Sequence, residues 1–362
     1  MNAKQMKMNK NMYRIIISLL ISLGVFCMSC CKSTLVEKEE VSTIENTIKT
    51  GVEINGKRNG MFISMTDEKN PVLLFISGGP GVPEIWLNET YKNEYPNNIS
   101  KYFTVCYWDY IGEGLSYDSK IKPEEITLQR LADDAHEVAQ YLKKTYKKEK
   151  IYLMAHSSGT NLGLYLAQTR PEDFYCYFGM GQDYLKGDRR YEEGYYFMKG
   201  IFEKAGNEKA LKQMNKLVNV SKEGKITAKK PSSIGKDWEE ILLMAGCATT
   251  REMRSDMKDI FFKQMGCKCY TFGEKINYWK GKKLLSKSAY REYAVNPDVK
   301  AKIPVIFISG FYDYTTPITL SKELYEKLEA PAKYFYTFNN SAHSPLWEEN
   351  ELVIEAMLKH VR

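Results

Sequence analysis

Short apolar runs alternate with segments of helical period from residue 47 onward. Thr47–Ile54 and Met61–Met65, joined by a turn at Asn55-Gly56, predict a hairpin. Apolar residues at helical spacing predict a helix over Leu128–Leu142, and Glu348–His360 predicts a terminal helix. Further strands are predicted at Val72–Ile76, Phe103–Trp108, Ile151–Ala155, Phe174–Gly179, Ile303–Ser309 and Tyr334–Phe338.

The segment 183–300 interrupts this alternation. It is rich in Lys, Tyr, Met and Phe, has a helical period and contains few β-branched runs. Strands that alternate with helices predict an α/β core with a mostly parallel central sheet flanked by helices, and the helical block predicts an inserted lid. We therefore assign residues 47–182 and 301–362 to the core and residues 183–300 to a helical cap.

The N-terminus has the pattern of an export signal over residues 1–30. A basic stretch precedes the apolar run Ile15–Phe26, which is short for a bilayer crossing. Small residues and cysteines follow, in a loose version of the lipobox of bacterial lipoproteins, where the modified cysteine becomes the first mature residue. Ser29 suits the position before Cys30, so we assign lipidation to Cys30, with Cys31 as the alternative. An ordinary cleaved signal or an uncleaved anchor are the other interpretations, and residues 31–46 read as a polar tether.

Charge and cysteine content exclude two classes of function. The net charge of +7 includes four basic residues within this N-terminal signal, and no basic stripe interleaved with aromatics follows, so nucleic acid is not an expected partner. Cys267-Lys268-Cys269 lacks a second ligand pair at zinc-site spacing, and we expect no metal. A disulfide between Cys247 and one of that pair is left open.

Candidate chemistry begins at Ala155-His156-Ser157-Ser158-Gly159. This sequence ends a predicted strand and precedes a helix-compatible stretch of small residues, so Ser157 lies at the apex of a tight turn. It is a G-x-S-x-G pattern with alanine in the first glycine position. A serine there is exposed at a helix N-terminus, which favours developing negative charge. Ser157 is therefore the candidate nucleophile.

A serine nucleophile needs a histidine base, and the chain has only four histidines. His136 precedes the serine on a helix, His156 is its neighbour and is expected to point elsewhere, and His360 ends the terminal helix. His343 lies in a loop after a strand near the C-terminus, where the base belongs in a Ser, acid, His order. His343 is the candidate base, and a surface-loop histidine is the alternative.

The carboxylate that orients the base is assigned to Asp313. It follows the predicted strand Ile303–Ser309, and no other acid between the serine and His343 has comparable surroundings. A turn aspartate or a helix N-cap is the alternative role.

A tetrahedral oxyanion needs N–H donors. The backbone N–H of Ser158 provides one, and the loop Ser77-Gly78-Gly79-Pro80-Gly81 after an early strand provides the other. We favour Gly79 over Gly78, and an ordinary surface turn remains the alternative. No Gly-Lys-Ser/Thr follows, so this is not a phosphate loop.

These motifs together resemble the proline iminopeptidase branch of the α/β-hydrolase superfamily. Ser77–Gly81 is similar to its His-Gly-Gly-Pro-Gly loop, and Asp109–Ser116 to its Asp-Gln-Arg-Gly-x-Gly-x-Ser loop. The resemblance covers nearly the whole core and implies an α/β-hydrolase fold. The sequence departs from the branch pattern at Ser77, Ile111, His156 and Ser158. None of these is a candidate nucleophile, acid or base, so the catalytic triad is complete, but the identity of the substrate is left open.

The resemblance implies a serine hydrolase that forms an acyl-enzyme without a cofactor. Its substrate would be a small molecule or a short peptide with a free N-terminus, held by lid carboxylates. Glu192 and Glu193 are the candidates, although acids on a Lys-rich helix are commonly solvated. Small carboxylic esters are the alternative substrates. The aromatic lid suits an apolar pocket or simple packing.

Two other functions are weighed against this one. Haloalkane dehalogenases and epoxide hydrolases share the fold but place aspartate at the position of Ser157. A catalytically inactive binding protein is the remaining alternative, and it commonly loses the nucleophile or the base, both of which are present here.

Overall fold

The computed structural model describes residues 40–41, 47–91, 98–184, 187–231, 234–293, 295–296 and 298–362. In this part of the chain, nine strands form one mixed sheet in the order β1-β2-β3-β5-β4-β6-β7-β10-β11. Their bounds are β1 Glu40–Val41, β2 Thr47–Ile54, β3 Lys57–Ser64, β4 Val72–Ile76, β5 Thr104–Asp109, β6 Ile151–His156, β7 Phe174–Met180, β10 Val305–Gly310 and β11 Lys333–Phe338. The predicted hairpin and all six further predicted strands are present, and β11, at the edge of the sheet, is only partly buried.

The sheet is antiparallel at one edge and parallel from β5 to β11. The central strands Val72–Ile76 and Ile151–His156 are buried along their whole length, as parallel strands covered on both faces are. This burial explains why both segments are continuous apolar runs. The mostly parallel α/β sheet predicted from the sequence is confirmed.

The helices of the described residues are α1 Ile85–Tyr91, α2 Leu128–Thr145, α3 Gly159–Thr169, α4 Asp188–Lys204, α5 Glu208–Asn215, α6 Ile234–Ala245, α7 Phe262–Gly266, α8 Phe272–Leu285, α9 Ile318–Lys327, α10 Pro345–Glu348 and α11 Asn350–Leu358. Helix α2 accounts for the helical spacing of apolar residues over Leu128–Leu142. Thr127 caps it by accepting the Arg130 N–H, and Leu131, Val138 and Leu142 are buried against the sheet. The terminal helix predicted over Glu348–His360 is divided into α10 and α11.

The segment 183–300 is mainly helical and also contains a small hairpin, β8 Val218–Val220 with β9 Ile226–Ala228. Met198, Phe202 and Trp238 from this segment belong to the same buried cluster as strand residues such as Phe178. This packing places α4 and α6 over the sheet, within one compact unit that runs from Glu39 to Arg362.

The N-terminal predictions lie almost entirely outside the described residues. Within the predicted tether, Glu40–Val41 form an edge strand that pairs with Ile48 and Lys49. None of the described helices has the length and apolar character that a bilayer crossing requires. The five cysteines among the described residues, which include Cys247, Cys267 and Cys269, are buried free thiols, so the disulfide left open by the sequence is not formed in this structure.

Candidate active site

Ser157 occupies a strained turn between a strand and a helix. It follows the last residue of β6, α3 begins at Gly159, and its φ is +54°. A non-glycine residue in this left-handed region is uncommon and costs free energy, so the turn must be held by its surroundings. The Ser157 N–H donates to the Met180 carbonyl at 3.0 Å, and a Cβ on Gly159 would collide with the Ser77 carbonyl. The side chain is consequently held at the carboxyl edge of the sheet, partly exposed.

Asp313 and His343 form a buried pair, with 0% and 6% of their surfaces exposed. His343 Nδ1 lies 2.8 Å from Asp313 Oδ2, and the Thr316 N–H and hydroxyl both donate to the same carboxylate at 2.9 Å. A carboxylate accepts, so His343 carries its proton on Nδ1 and presents Nε2 as an acceptor. Nε2 is buried and makes no hydrogen bond to any described residue.

The electrostatic surroundings favour the protonated form of His343. Burial lowers the pKa of its imidazole, but the charge and hydrogen bond of Asp313 and the charges of Glu84 and Glu239 outweigh burial. The pKa therefore lies above its ordinary value of 6.5. An acidic environment of this kind also stabilises the imidazolium that a general base becomes when it takes a proton.

Two glycines bring the strand-end loops together. A Cβ on Gly181, directly after β7, would lie 2.8 Å from His343 Cε1 and 3.3 Å from Asp313 Oδ2. A Cβ on Gly78, after β4, would lie 2.6 Å from Ser157 Cβ. Because both positions lack side chains, the Asp313–His343 pair approaches the loop after β7, and Ser157 approaches the loop after β4. The Ser157 hydroxyl and His343 Nε2 do not form a hydrogen bond in this structure.

The loop predicted to form the oxyanion hole runs beside the serine. Gly79 has a φ of +111°, which strongly favours glycine, and the Gly81 N–H donates to the Tyr110 hydroxyl at 2.9 Å. The Gly78 N–H faces Glu84 Oε2 at 3.4 Å. The N–H groups of Gly79 and Ser158 donate to no described residue. This arrangement favours Gly79 and Ser158 as the donors.

The Asp109–Ser116 loop has a structural role. Asp109 Oδ2 accepts the Leu115 N–H at 2.8 Å, Tyr270 donates its hydroxyl to the same carboxylate, and a Cβ on Gly114 would collide with it. Burial raises the pKa of Asp109 to about 7, while these hydrogen bonds lower it. The motif therefore ties the loop after β5 to the residues before α8.

The lid acids are only partly where the sequence placed them. Glu192 and Glu193 are half-buried on α4, and the charge of Glu193 acts on Tyr314, the neighbour of Asp313. Sequence reasoning missed Glu239 on α6, whose charge interacts with that of His343. Burial raises the pKa of Glu239 although His343 lowers it. The sequence carries little signal for this residue, because Glu239 lies beside Glu240 on a helix that also contains Lys236 and Asp237.

Sequence reasoning also missed the role of His156. Its ring packs against that of His343, with centroids 4.5 Å apart, and it hydrogen-bonds the His343 carbonyl at 2.8 Å. Its other nitrogen lies 2.6 Å from Glu84 Oε1. A histidine beside the nucleophile and an acid after the glycine loop were the available signals.

Among the described residues, two groups of side chains outside this site have potential metal ligands. Glu89, Cys267 and Cys269 present ligand atoms within 4.8 Å of one another, as do His136, Glu172 and Asp173. Glu89 accepts the Lys268 N–H, and Asp173 is already bound by Gln140 and Lys143. Zinc sites use four protein ligands, or three with an open position. Neither group includes a residue of the serine site.

Comparisons with known proteins agree with this fold. The family model described as alpha/beta hydrolase fold matches residues 71–350. The chain is 31% identical over 326 residues to the probable aminopeptidase YbaC of Bacillus subtilis (strain 168), over 86% of this chain and 95% of that protein. The proline iminopeptidase structure of Mycobacterium smegmatis has a TM-score of 0.54 and 15% identity, over 86% of this chain and 98% of that one. The VinJ structure has a TM-score of 0.56 and 16% identity, over 86% and 97%.

Proposed function

Because the chain belongs to the α/β-hydrolase fold family and is a hydrolase, we propose that it cleaves peptide bonds through an acyl-enzyme on Ser157. His343 acts as the general base, and Asp313 orients it. The observation that carries this proposal is the buried Asp313–His343 pair, whose Nε2 has no hydrogen-bond partner among the described residues.

The mechanism follows from the positions of the protons. His343 Nε2 takes the proton of the Ser157 hydroxyl as its oxygen attacks the substrate carbonyl carbon. The oxygen of the tetrahedral intermediate accepts hydrogen bonds from the N–H groups of Gly79 and Ser158. His343 then donates its proton to the leaving amine, and the acyl-enzyme forms. A water molecule, deprotonated by His343, hydrolyses the ester and restores Ser157.

The substrate we favour is a short peptide with a free N-terminus. Glu239 supports this choice, because it is half-buried and its charge acts on His343, and such a carboxylate is suited to bind an ammonium group. Glu193, on the neighbouring helix, is the second candidate. The similarity to a probable aminopeptidase points the same way.

A panel of chromogenic substrates tests this choice. We expect the purified protein to cleave proline p-nitroanilide and to leave its N-acetylated counterpart uncleaved, since acetylation removes the ammonium. Glu239→Gln should lower kcat/KM for the free-amine substrate about 10- to 100-fold, the usual loss of a charge-assisted hydrogen bond. Glu240→Gln, an exposed neighbour on α6, is the matched control and should stay within about twofold.

Small carboxylic esters are the second candidate substrates. Phe197 from the lid stacks on Tyr314 with ring centroids 4.3 Å apart, which gives the site an aromatic wall beside Asp313. An apolar acyl group would pack against such a wall. Rapid cleavage of butyryl esters would establish this function instead, if neither Glu239→Gln nor N-acetylation of the substrate changed the rate of cleavage.

We also propose that the enzyme is exported and anchored by a lipid on Cys30. The support is the basic and apolar pattern of residues 1–26 and the small residue before Cys30.

A further inference from the structure

A second histidine–carboxylate pair lies beside Ser157 and takes no part in the mechanism above. His156, the last residue of β6, has 2% of its side chain exposed, and Glu84 has 10%. His156 Nδ1 lies 2.6 Å from Glu84 Oε1. Buried ionisable groups are costly unless they are paired, so this pair calls for an explanation.

The hydrogen bonds of His156 fix its tautomer. Nε2 lies 2.8 Å from the backbone carbonyl of His343, and a carbonyl can only accept, so Nε2 carries a proton. Nδ1 and Glu84 Oε1 then share one further proton between them. The imidazole ring is consequently held at both nitrogens, and its plane cannot rotate without breaking both hydrogen bonds.

The second oxygen of Glu84 extends this chain of contacts. Glu84 Oε2 lies 3.4 Å from the Gly78 N–H, in the loop after β4. One continuous path therefore runs from Gly78 through Glu84 and His156 to the His343 carbonyl. It includes His156, the residue next to Ser157, and joins the loops that follow β4 and β11 to the end of β6.

We propose that Glu84 and His156 are positioning residues that hold the Gly78-Gly79 loop and the His343 loop in register on either side of Ser157. The inference rests on the proposed function, since it concerns the same serine. By engaging the Gly78 N–H, Glu84 leaves the Gly79 N–H for the oxyanion. By holding the His343 carbonyl, His156 fixes the backbone position from which the His343 side chain extends.

The geometry explains why this positioning affects rate. The His343 loop is held from its other side by Glu348, which accepts the Ala342 N–H at 2.8 Å, and the His343 N–H donates to the Ala248 carbonyl at 3.0 Å. Loss of the His156 contact would let the loop move at its catalytic residue. A misplacement of about 1 Å can cost about 100-fold in rate.

Glu84 also acts on His343 through its charge, and the two effects can be separated. The carboxylates whose charges act on His343 are Asp313, Glu84 and Glu239. Glu84→Gln keeps groups that can hydrogen-bond His156 and Gly78 but removes one negative charge. Glu84→Ala removes both the hydrogen bonds and the charge.

The experiment measures the rate at which a fluorophosphonate probe labels Ser157, because this reaction does not depend on the natural substrate. We expect His156→Phe and Glu84→Ala each to slow labelling about 10- to 100-fold. The probe should label Glu84→Gln at least fivefold faster than Glu84→Ala. The acid limb of the pH–rate profile of Glu84→Gln should move to lower pH, because removal of the Glu84 charge lowers the pKa of His343. A merely structural role would not move that limb.

His136→Phe is the matched control. His136 Nδ1 lies 2.6 Å from Asp173 Oδ2, the same distance as in the His156–Glu84 pair, but Asp173 precedes β7 at the opposite edge of the sheet. Its labelling rate should match that of the wild type. Folded His156→Phe and Glu84→Ala proteins that label within twofold of the wild type would overturn the proposal.

Hydrogen exchange separates this inference from the proposed function. The Ala342 and His343 amides should exchange at least tenfold faster in His156→Phe, and in Glu84→Ala if the phenylalanine variant does not fold, but not in His136→Phe. A wild-type protein that the probe does not label would overturn the proposed function, while unchanged exchange would overturn the positioning role.

Discussion

At the scale of single residues, the chemistry depends on which nitrogen of each histidine carries a proton. Asp313 places the His343 proton on Nδ1, and the His343 carbonyl places one His156 proton on Nε2. The two rings are in contact, and each presents Nδ1 to a carboxylate. They differ at Nε2, which in His156 is bound to the His343 carbonyl and in His343 has no partner among the described residues. The sequence identified His343 by its position in the chain, but it gave no information on the tautomers.

Asp313→Asn should lower kcat by about 10,000-fold, because an amide donor facing Nδ1 favours the wrong tautomer of His343. The pH profile carries a second expectation. The base must be neutral, so wild-type kcat/KM falls as the pH drops through the raised pKa of His343. Removing the Asp313 charge lowers this pKa, and the acid limb should move to lower pH. An unchanged limb and a small loss of kcat would contradict the assignment of Asp313.

At the scale of elements, the ends of the parallel strands assemble the site. Strand β10 ends at Gly310, where a Cβ would collide with the carbonyl oxygen of Ala342, just before His343. The strand that leads to the acid therefore packs directly against the loop that carries the base. This contact requires a glycine, because a Cβ would collide with backbone atoms and not with a flexible side chain that could move aside.

Gly310→Ala should consequently reduce both stability and activity. We expect a loss of about 1–3 kcal/mol in the free energy of unfolding, typical of overpacking, and at least a tenfold fall in kcat as the His343 loop is displaced. Denaturant unfolding and steady-state kinetics measure the two effects. Gly200→Ala on helix α4 is the control, since its Cβ meets nothing within 4 Å and should stabilise by about 0.5–1 kcal/mol. Full activity in Gly310→Ala would show that this contact does not position the base.

At the scale of the whole molecule, the lid and the sheet share one buried cluster. Phe202 and Trp238 pack with residues of the sheet such as Phe178, and Tyr270 bonds Asp109 across the same boundary. The site is thus formed between elements that are far apart in the chain. The N-terminal segment concerns a separate property, the proposed attachment of the protein to a membrane.

Cys30→Ser should abolish the incorporation of labelled palmitate when the full chain is produced in a bacterium that processes lipoproteins, because lipidation requires the thiol. Cys31→Ser is the matched control and should remain labelled. Loss of label only in Cys31→Ser would transfer the anchor to that residue. Label in neither the wild type nor the variants would contradict the lipid anchor.

The sequence by itself determined the α/β fold, because apolar runs with strand and helix periods record burial locally. It also proposed Ser157, Asp313 and His343, since each residue follows a predicted strand and parallel strands bring their carboxyl ends to one edge. Only the tertiary structure decided that the charge of Glu239 acts on His343 and that Glu84 pairs with His156. These contacts join residues that are 104 and 72 positions apart, and no local pattern of burial encodes which side chains meet across such a distance.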